Sequence, residues 1–164
     1  MAVGPNVGPN VGAPAKFASA TVVDCTGQTV LPGMIDLHIH ATTSNLGSLQ
    51  AFTEPFSLQL HKSVRNLEAT LRAGITSARD AGGADLDTKV AVDSGLIKGP
   101  RLRLAISIMS QTGGHTDFWH PSGVVSPTMS SHPGRPSGIA DGVGEVRKAT
   151  RRMLRSRADQ IKIS

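Results

Sequence analysis

The sequence predicts an α/β fold in which parallel strands are covered by helices, and three observations predict it. Between residues 34 and 164, short β-branched runs alternate with stretches whose apolar residues recur every three or four positions. Glycine stands where the longest helical pattern stops, at Gly74. The resulting order of strand, helix, strand, helix, strand, helix, strand is that of successive βα units, whose sheet must be covered on at least one face. A chain of 164 residues with 38% hydrophobic content buries one core and corresponds to one domain or part of a larger one.

Taken in order, residues 1–19 repeat the turn formers of VGPNVGPNVG and offer nothing periodic to bury, which predicts a disordered low-complexity arm. In residues 20–31 the run TVVDCTGQTV predicts two short strands around a turn at Thr26 and Gly27. Residues 34–40 read as a strand. A helix follows over 55–72, where Phe56, Leu60, Val64, Leu67 and Leu71 share one face. Strands are predicted at 75–80, 101–109 and 160–164, with helices at 86–94 and 142–157 and a Gly/Pro-rich loop over 111–139.

Four parallel strands with three helices, in a chain this long, match half of a (β/α)8 barrel, since a complete one takes about 250 residues. The rival is a small doubly wound open sheet. That fold wants a glycine-rich phosphate turn after its first strand, and His38-Ile39-His40-Ala41-Thr42 is not one.

Composition narrows the partners. Aromatic residues make up 3% of the chain and tyrosine is absent, so stacking on nucleobases has little to work with. The net charge of +5 comes largely from Arg147, Lys148, Arg151, Arg152, Arg155 and Arg157. Their helical spacing describes the wet face of an amphipathic helix better than a nucleic-acid or membrane patch. Cys25 is the lone cysteine and has no partner for a disulfide. No basic segment followed by an apolar stretch opens the chain, and no run long enough to span a bilayer occurs, so a cytoplasmic location without membrane contact is expected.

In a regular strand alternate side chains share a face, which places Asp36, His38 and His40 on one side and Leu37 and Ile39 on the other. Two imidazoles then converge at the C-terminal end of a strand, where parallel barrels build their sites, and two such nitrogens can chelate a divalent cation. Two polar histidines on a half-exposed strand are the plainer alternative. Asp36 and Asp80 each stand where a carboxylate can hydrogen-bond a metal-binding histidine or cap a loop.

The run Leu31-Pro32-Gly33-Met34-Ile35-Asp36-Leu37-His38-Ile39-His40 resembles the first-strand motif of the amidohydrolase superfamily. Residues 73–83, AGITSARDAGG, look like its second-strand segment. Gly99-Pro100-Arg101 and Gln111-Thr112-Gly113-Gly114-His115 are similar to elements of the branch holding imidazolonepropionase-like and Xaa-Pro dipeptidase-like enzymes. Gln160-Ile161-Lys162-Ile163 matches the fourth-strand segment whose lysine is carboxylated. The resemblance implies one or two Zn²⁺ held by His38, His40 and a bridging, carboxylated Lys162. It implies that His115 contacts a substrate carbonyl or carboxylate, and that the substrate is a small amide or dipeptide hydrolysed at a C–N bond. It also implies that residues 20–31 are the remnant of a small N-terminal β-sandwich and that 32–164 are the N-terminal half of a truncated barrel.

Two departures from the pattern matter. Thr116 replaces the glycine usual after His115, so Asp117 is given no catalytic role. The histidines of strands 5 and 6 and the aspartate of strand 8 have no counterpart in these residues, which predicts impaired activity. A half barrel exposes strand edges and apolar interior, so the expected partners are a second copy or the missing half. The alternative function is an inactive half-barrel that binds metal or self-associates.

Overall fold

A computed structural model describes residues 21, 23–44, 49–126 and 130–164. The arm predicted for 1–19 lies outside them. The chain divides into two compact units, Met1–Pro32 and Gly33–Ser164.

In the first unit the predicted turn is present. The Gln28 N–H donates to the Cys25 carbonyl at 2.9 Å, and Gly27 takes the positive φ of +76° that the turn requires. Asp24 braces it by accepting the Thr26 hydroxyl at 2.7 Å and the Thr26 N–H at 2.9 Å, and these two bonds hold its carboxyl below the usual range. The flanking strands expected of a β-sandwich remnant do not form among described residues 23–32. Val23, Val30 and Leu31 are exposed there, and a two-stranded ribbon with no buried face is marginal in water.

The second unit begins with β1 (Met34–Ile39), followed by the single helical turn α1 (Gln50–Thr53) and by α2 (Phe56–Arg72). Then come β2 (Ile75–Asp80), α3 (Leu86–Asp93) and β3 (Arg101–Leu104). The unit ends with β4 (Ile108–Met109), α4 (Gly142–Arg155) and β5 (Lys162–Ile163). Strands β1, β2 and β3 form a parallel sheet in that order, and β4 pairs with β5, also in parallel. This is the expected βα succession with three helices of two or more turns, consistent with part of a (β/α)8 barrel.

One predicted strand is two. The run 101–109 breaks because Ile106, fully buried, adopts φ +67°, a conformation that costs a β-branched residue of order 1–3 kcal/mol. Neighbours hold it there: the Gly83 N–H donates to the Ile106 carbonyl at 2.9 Å, and the Ala105 N–H to the Asp80 carbonyl at 3.0 Å. After the kink the chain resumes as β4 and takes β5 as its partner.

The core lies on the helix side of the sheet. Leu67 of α2 packs with Ala78, Leu102, Leu104 and Ile106, and a second cluster joins Met109 to Ala149 and Met153 of α4. Helix α4 is amphipathic as its spacing predicts, with Arg147, Lys148, Arg151, Arg152 and Arg155 on its exposed side. In α2 the buried face centres on Gln59, Ser63 and Leu67, while Phe56 and Leu60 stay partly exposed, so the apolar stripe is only half covered. The opposite face of the sheet presents Ile35, Leu37, Ser77, Arg79, Arg101 and Arg103 around an open hollow. No helix among the described residues is long and apolar enough to cross a membrane.

Candidate active site

The C-terminal ends of the parallel strands meet at one end of the sheet, and β1 delivers the two histidines there. Their rings lie edge to face with centroids 5.3 Å apart. The face assignment from simple alternation needs correction. Between Asp36 and Ile39, β1 spans three residues where β2 spans two, because Asp36 pairs with Ala78 and Ile39 with Asp80. Such a bulge re-aims the side chains after it. Leu37 therefore stays exposed beside Ile35 and Arg79, whereas Ile39 packs on the core with Leu102 and Leu104. The two do not share a face. Asp36 accepts the His38 N–H at 2.9 Å, an interaction with backbone and not with the ring.

His40 is the better held of the pair. Its Nδ1 lies 2.7 Å from the Gly82 carbonyl, which can only accept, so the contact requires a proton on Nδ1, and in the neutral ring this leaves the Nε2 lone pair free. Gly82 and Gly83 sit at φ +133° and +120°, backbone states that favour glycine. A Cβ on Gly82 would stand 2.5 Å from Ile108 Cγ1, and one on Gly83 2.8 Å from the Thr42 hydroxyl. The double glycine of the AGG sequence thus serves close approach of β2's end to its neighbours.

Asp80, fully buried, ends β2 and accepts three backbone N–H groups: Ala41 at 2.8 Å, Gly82 at 2.9 Å and Ala84 at 3.3 Å. Burial pushes its carboxyl up, against these donors and the nearby His40. Below it lies a charge cluster that sequence reasoning missed. Arg135 is only 4% exposed, donates to the Gly83 carbonyl at 3.2 Å and to the Ser130 carbonyl at 2.7 Å, and has Asp85 and Asp80 favouring its charge against burial. Asp85 caps α3 through the Thr88 N–H at 3.0 Å and lies 3.8 Å from His132 Nε2. Burial and the Arg135 charge lower the His132 pKa, which keeps that ring neutral more readily. Nothing periodic marks Arg135, which follows Gly134 in the predicted loop.

Two further expected site residues lie on other segments of the chain. Lys162 lies on β5 opposite Ile108 and is partly buried; His115 is exposed after the turn in which Gly114 N–H meets the Gln111 carbonyl at 2.9 Å. Among the described residues no hydrogen bond joins either to His38 or His40, and no group of three or more His, Cys, Asp or Glu side chains is placed to hold a metal ion. Beyond β4, a cavity of about 390 Å³ is lined by Ser107, Thr116, Asp117, Phe118, Arg135 and Gly138, among others. Its lining includes neither histidine of β1 nor Lys162. The Thr116 hydroxyl is buried there without a partner.

Comparison with known proteins gives a consistent picture. Residues 29–164 match the model of the Amidohydrolase family. Over 96% of its length the chain is 33% identical to an ochratoxinase from Aspergillus niger, of which it covers 35%. Among solved structures it is similar to a prolidase complexed with N-methylphosphonate-L-proline, at 39% identity and a TM-score of 0.73 over 86% of this chain and 35% of that one. The crystal structure of the A. niger ochratoxinase gives 30% identity and a TM-score of 0.66 over 80% and 33%. The chain thus spans about a third of the length of these relatives.

Proposed function

The chain belongs to the amidohydrolase family, and from that premise we propose that it carries the first part of a metal-dependent hydrolase site that cleaves C–N bonds of small amides or dipeptides. The observation that carries the reading is the 2.7 Å contact from His40 Nδ1 to the Gly82 carbonyl. It fixes the tautomer a metal ligand needs, in the way partner groups behind metal-binding histidines commonly do.

Family members generally use divalent metals. The residues fit such an ion in part: His38 and His40 supply adjacent imidazoles, and Lys162, once carboxylated, would add an anionic oxygen donor from β5. Bound Zn²⁺, one ion or two, would polarise an amide carbonyl and lower the pKa of water. The chain's own residues orient the donors. Gly82 holds the His40 ring, Asp36 holds the His38 backbone, and His115, exposed at the loop, is suited to meet a substrate carbonyl or carboxylate. The names prolidase and ochratoxinase on similar proteins support an amide or dipeptide substrate.

The test is metal content by elemental analysis of protein expressed with zinc and bicarbonate, comparing wild type with a His38→Ala/His40→Ala double variant. Near-stoichiometric zinc, lost in the variant, is expected. A folded wild type that takes up no specific zinc removes the hydrolase site from these residues. A second reading, a self-associating module, is favoured by the exposure of Ile35 and Leu37, at 66% and 61%; it is tested through the oligomeric state.

A further inference from the structure

His40 is held by more than its own hydrogen bond. The residue that follows it, Ala41, gives its N–H to Asp80 Oδ2 at 2.8 Å, and Gly82, whose carbonyl meets the ring, gives its N–H to Asp80 Oδ1 at 2.9 Å. The two oxygens of one carboxylate therefore grip the backbone on both sides of the ring's contact. Gly82 and Gly83 lie where glycine has wide freedom, so the orientation of the Gly82 carbonyl must be set from outside. Asp80 sets it on one side. On the other, Arg135 Nη1 donates to the Gly83 carbonyl at 3.2 Å and its Nη2 donates to Ser130, which ties the loop after β4 to the same turn. From the segment leading into β5, Gln160 Nε2 reaches the Asp80 carbonyl at 3.1 Å.

We propose that Asp80 is a positioning residue that fixes the tautomer and orientation of His40 through the backbone of Ala41 and Gly82, with Arg135 as its counterpart at Gly83. The inference deepens the metal-site reading and rests on it for its consequence. Asp80→Asn keeps the shape but has one accepting oxygen, and its amide meets a backbone donor, so one side of the grip is lost.

The experiment is long-range ¹H–¹⁵N NMR of the His40 ring in the metal-free chain, wild type against Asp80→Asn and Arg135→Lys, with zinc affinity measured by chelator competition. In wild type a single Nδ1–H tautomer is expected. In Asp80→Asn the ring should become a tautomer mixture and zinc should bind about 10–100-fold more weakly, the range seen when partners behind metal ligands are removed. In Arg135→Lys, which loses the planar fork, a smaller shift in the same direction is expected.

A folded Asp80→Asn with an unchanged His40 tautomer overturns the proposal. Should that variant not fold, hydrogen exchange in wild type decides: slow exchange at the Ala41 and Gly82 amides is expected, and exchange as fast as at exposed turns overturns it. The two readings fail separately, because tautomer and exchange are read without metal. A tautomer shift in Asp80→Asn beside zero zinc uptake would leave the grip standing and end the metal reading.

Discussion

At the scale of single residues, the His40 ring meets the Gly82 carbonyl at 2.7 Å while Asp80 accepts the backbone N–H groups of Ala41 and Gly82 on either side of that contact. His38 and His40 were legible because a two-residue step at a strand end is a local pattern, and the pair does meet, with ring centroids 5.3 Å apart. The grip on His40 was legible only as a possibility for Asp80. Its three acceptor contacts span 2 to 39 residues of sequence, and the longest of them depends on β1 and β2 lying side by side. Arg135 gave no signal, since an arginine in a loop reads as solvated until a buried partner is found. The glycines make a sharp prediction. Gly82→Ala places a Cβ 2.5 Å from Ile108 Cγ1 at φ +133° and should cost about 1–3 kcal/mol or more in urea denaturation. Gly27→Ala, at φ +76° with no atom within 4 Å, should cost about 1 kcal/mol. Equal costs at the two positions would remove the packing argument at Gly82.

Among elements, the helices followed their sequence patterns and the strands did so less completely. Helix α3 starts at Asp85 because that side chain accepts the Thr88 N–H, the ordinary capping arrangement. Strand β3 stops early because Leu104 and Ile106 are recruited elsewhere: the Leu104 carbonyl accepts the Asp159 N–H at 2.8 Å, and its N–H donates to the Asp159 carboxylate at 2.9 Å. Asp159 joins two elements, with Lys89 of α3 at 2.9 Å and Arg103 of β3 at 3.0 Å. Burial works to raise its pKa, yet the Lys89 ammonium, the Leu104 N–H and Arg103 together lower it. A lowered folded pKa means that the stabilisation is present above the unfolded value of about 3.9 and is lost as pH falls through the folded one. Arg103 is largely exposed and contributes little through solvent screening. Asp159→Asn should therefore lower stability by about 1–3 kcal/mol at neutral pH, most of it from the Lys89 and Leu104 contacts. Denaturation curves of the two proteins should converge below about pH 4 as the wild-type carboxylate protonates. A difference independent of pH would show that charge is not the cause.

For the unit from Gly33 to Ser164 as a whole, the sheet has one finished face and one open face. The helix side is packed, whereas Ile35 and Leu37 remain exposed beside Arg79, Arg101 and Arg103. In the proposed self-association reading, a second copy covers this exposed apolar patch. Concentration-dependent dimers are expected by light scattering, and Ile35→Lys/Leu37→Lys should shift them to monomer without loss of the helical circular dichroism signal. Wild type that stays monomeric at high concentration ends that reading.

The sequence by itself determined the succession of βα units, the histidine pair at the end of β1 and the basic outer side of α4. Each is written in a local period that the backbone geometry reads directly. Only the tertiary structure decided the bulge that separates Leu37 from Ile39, the left-handed Ile106 that splits β3 from β4, and the convergence of Asp80, Asp85 and Arg135 behind His40. These arise where segments distant in sequence compete for the same backbone donors and acceptors, as Gln160 does in reaching Asp80 across 80 residues. A buried polar group must find its partner wherever the fold puts one, and that choice has no local period to read.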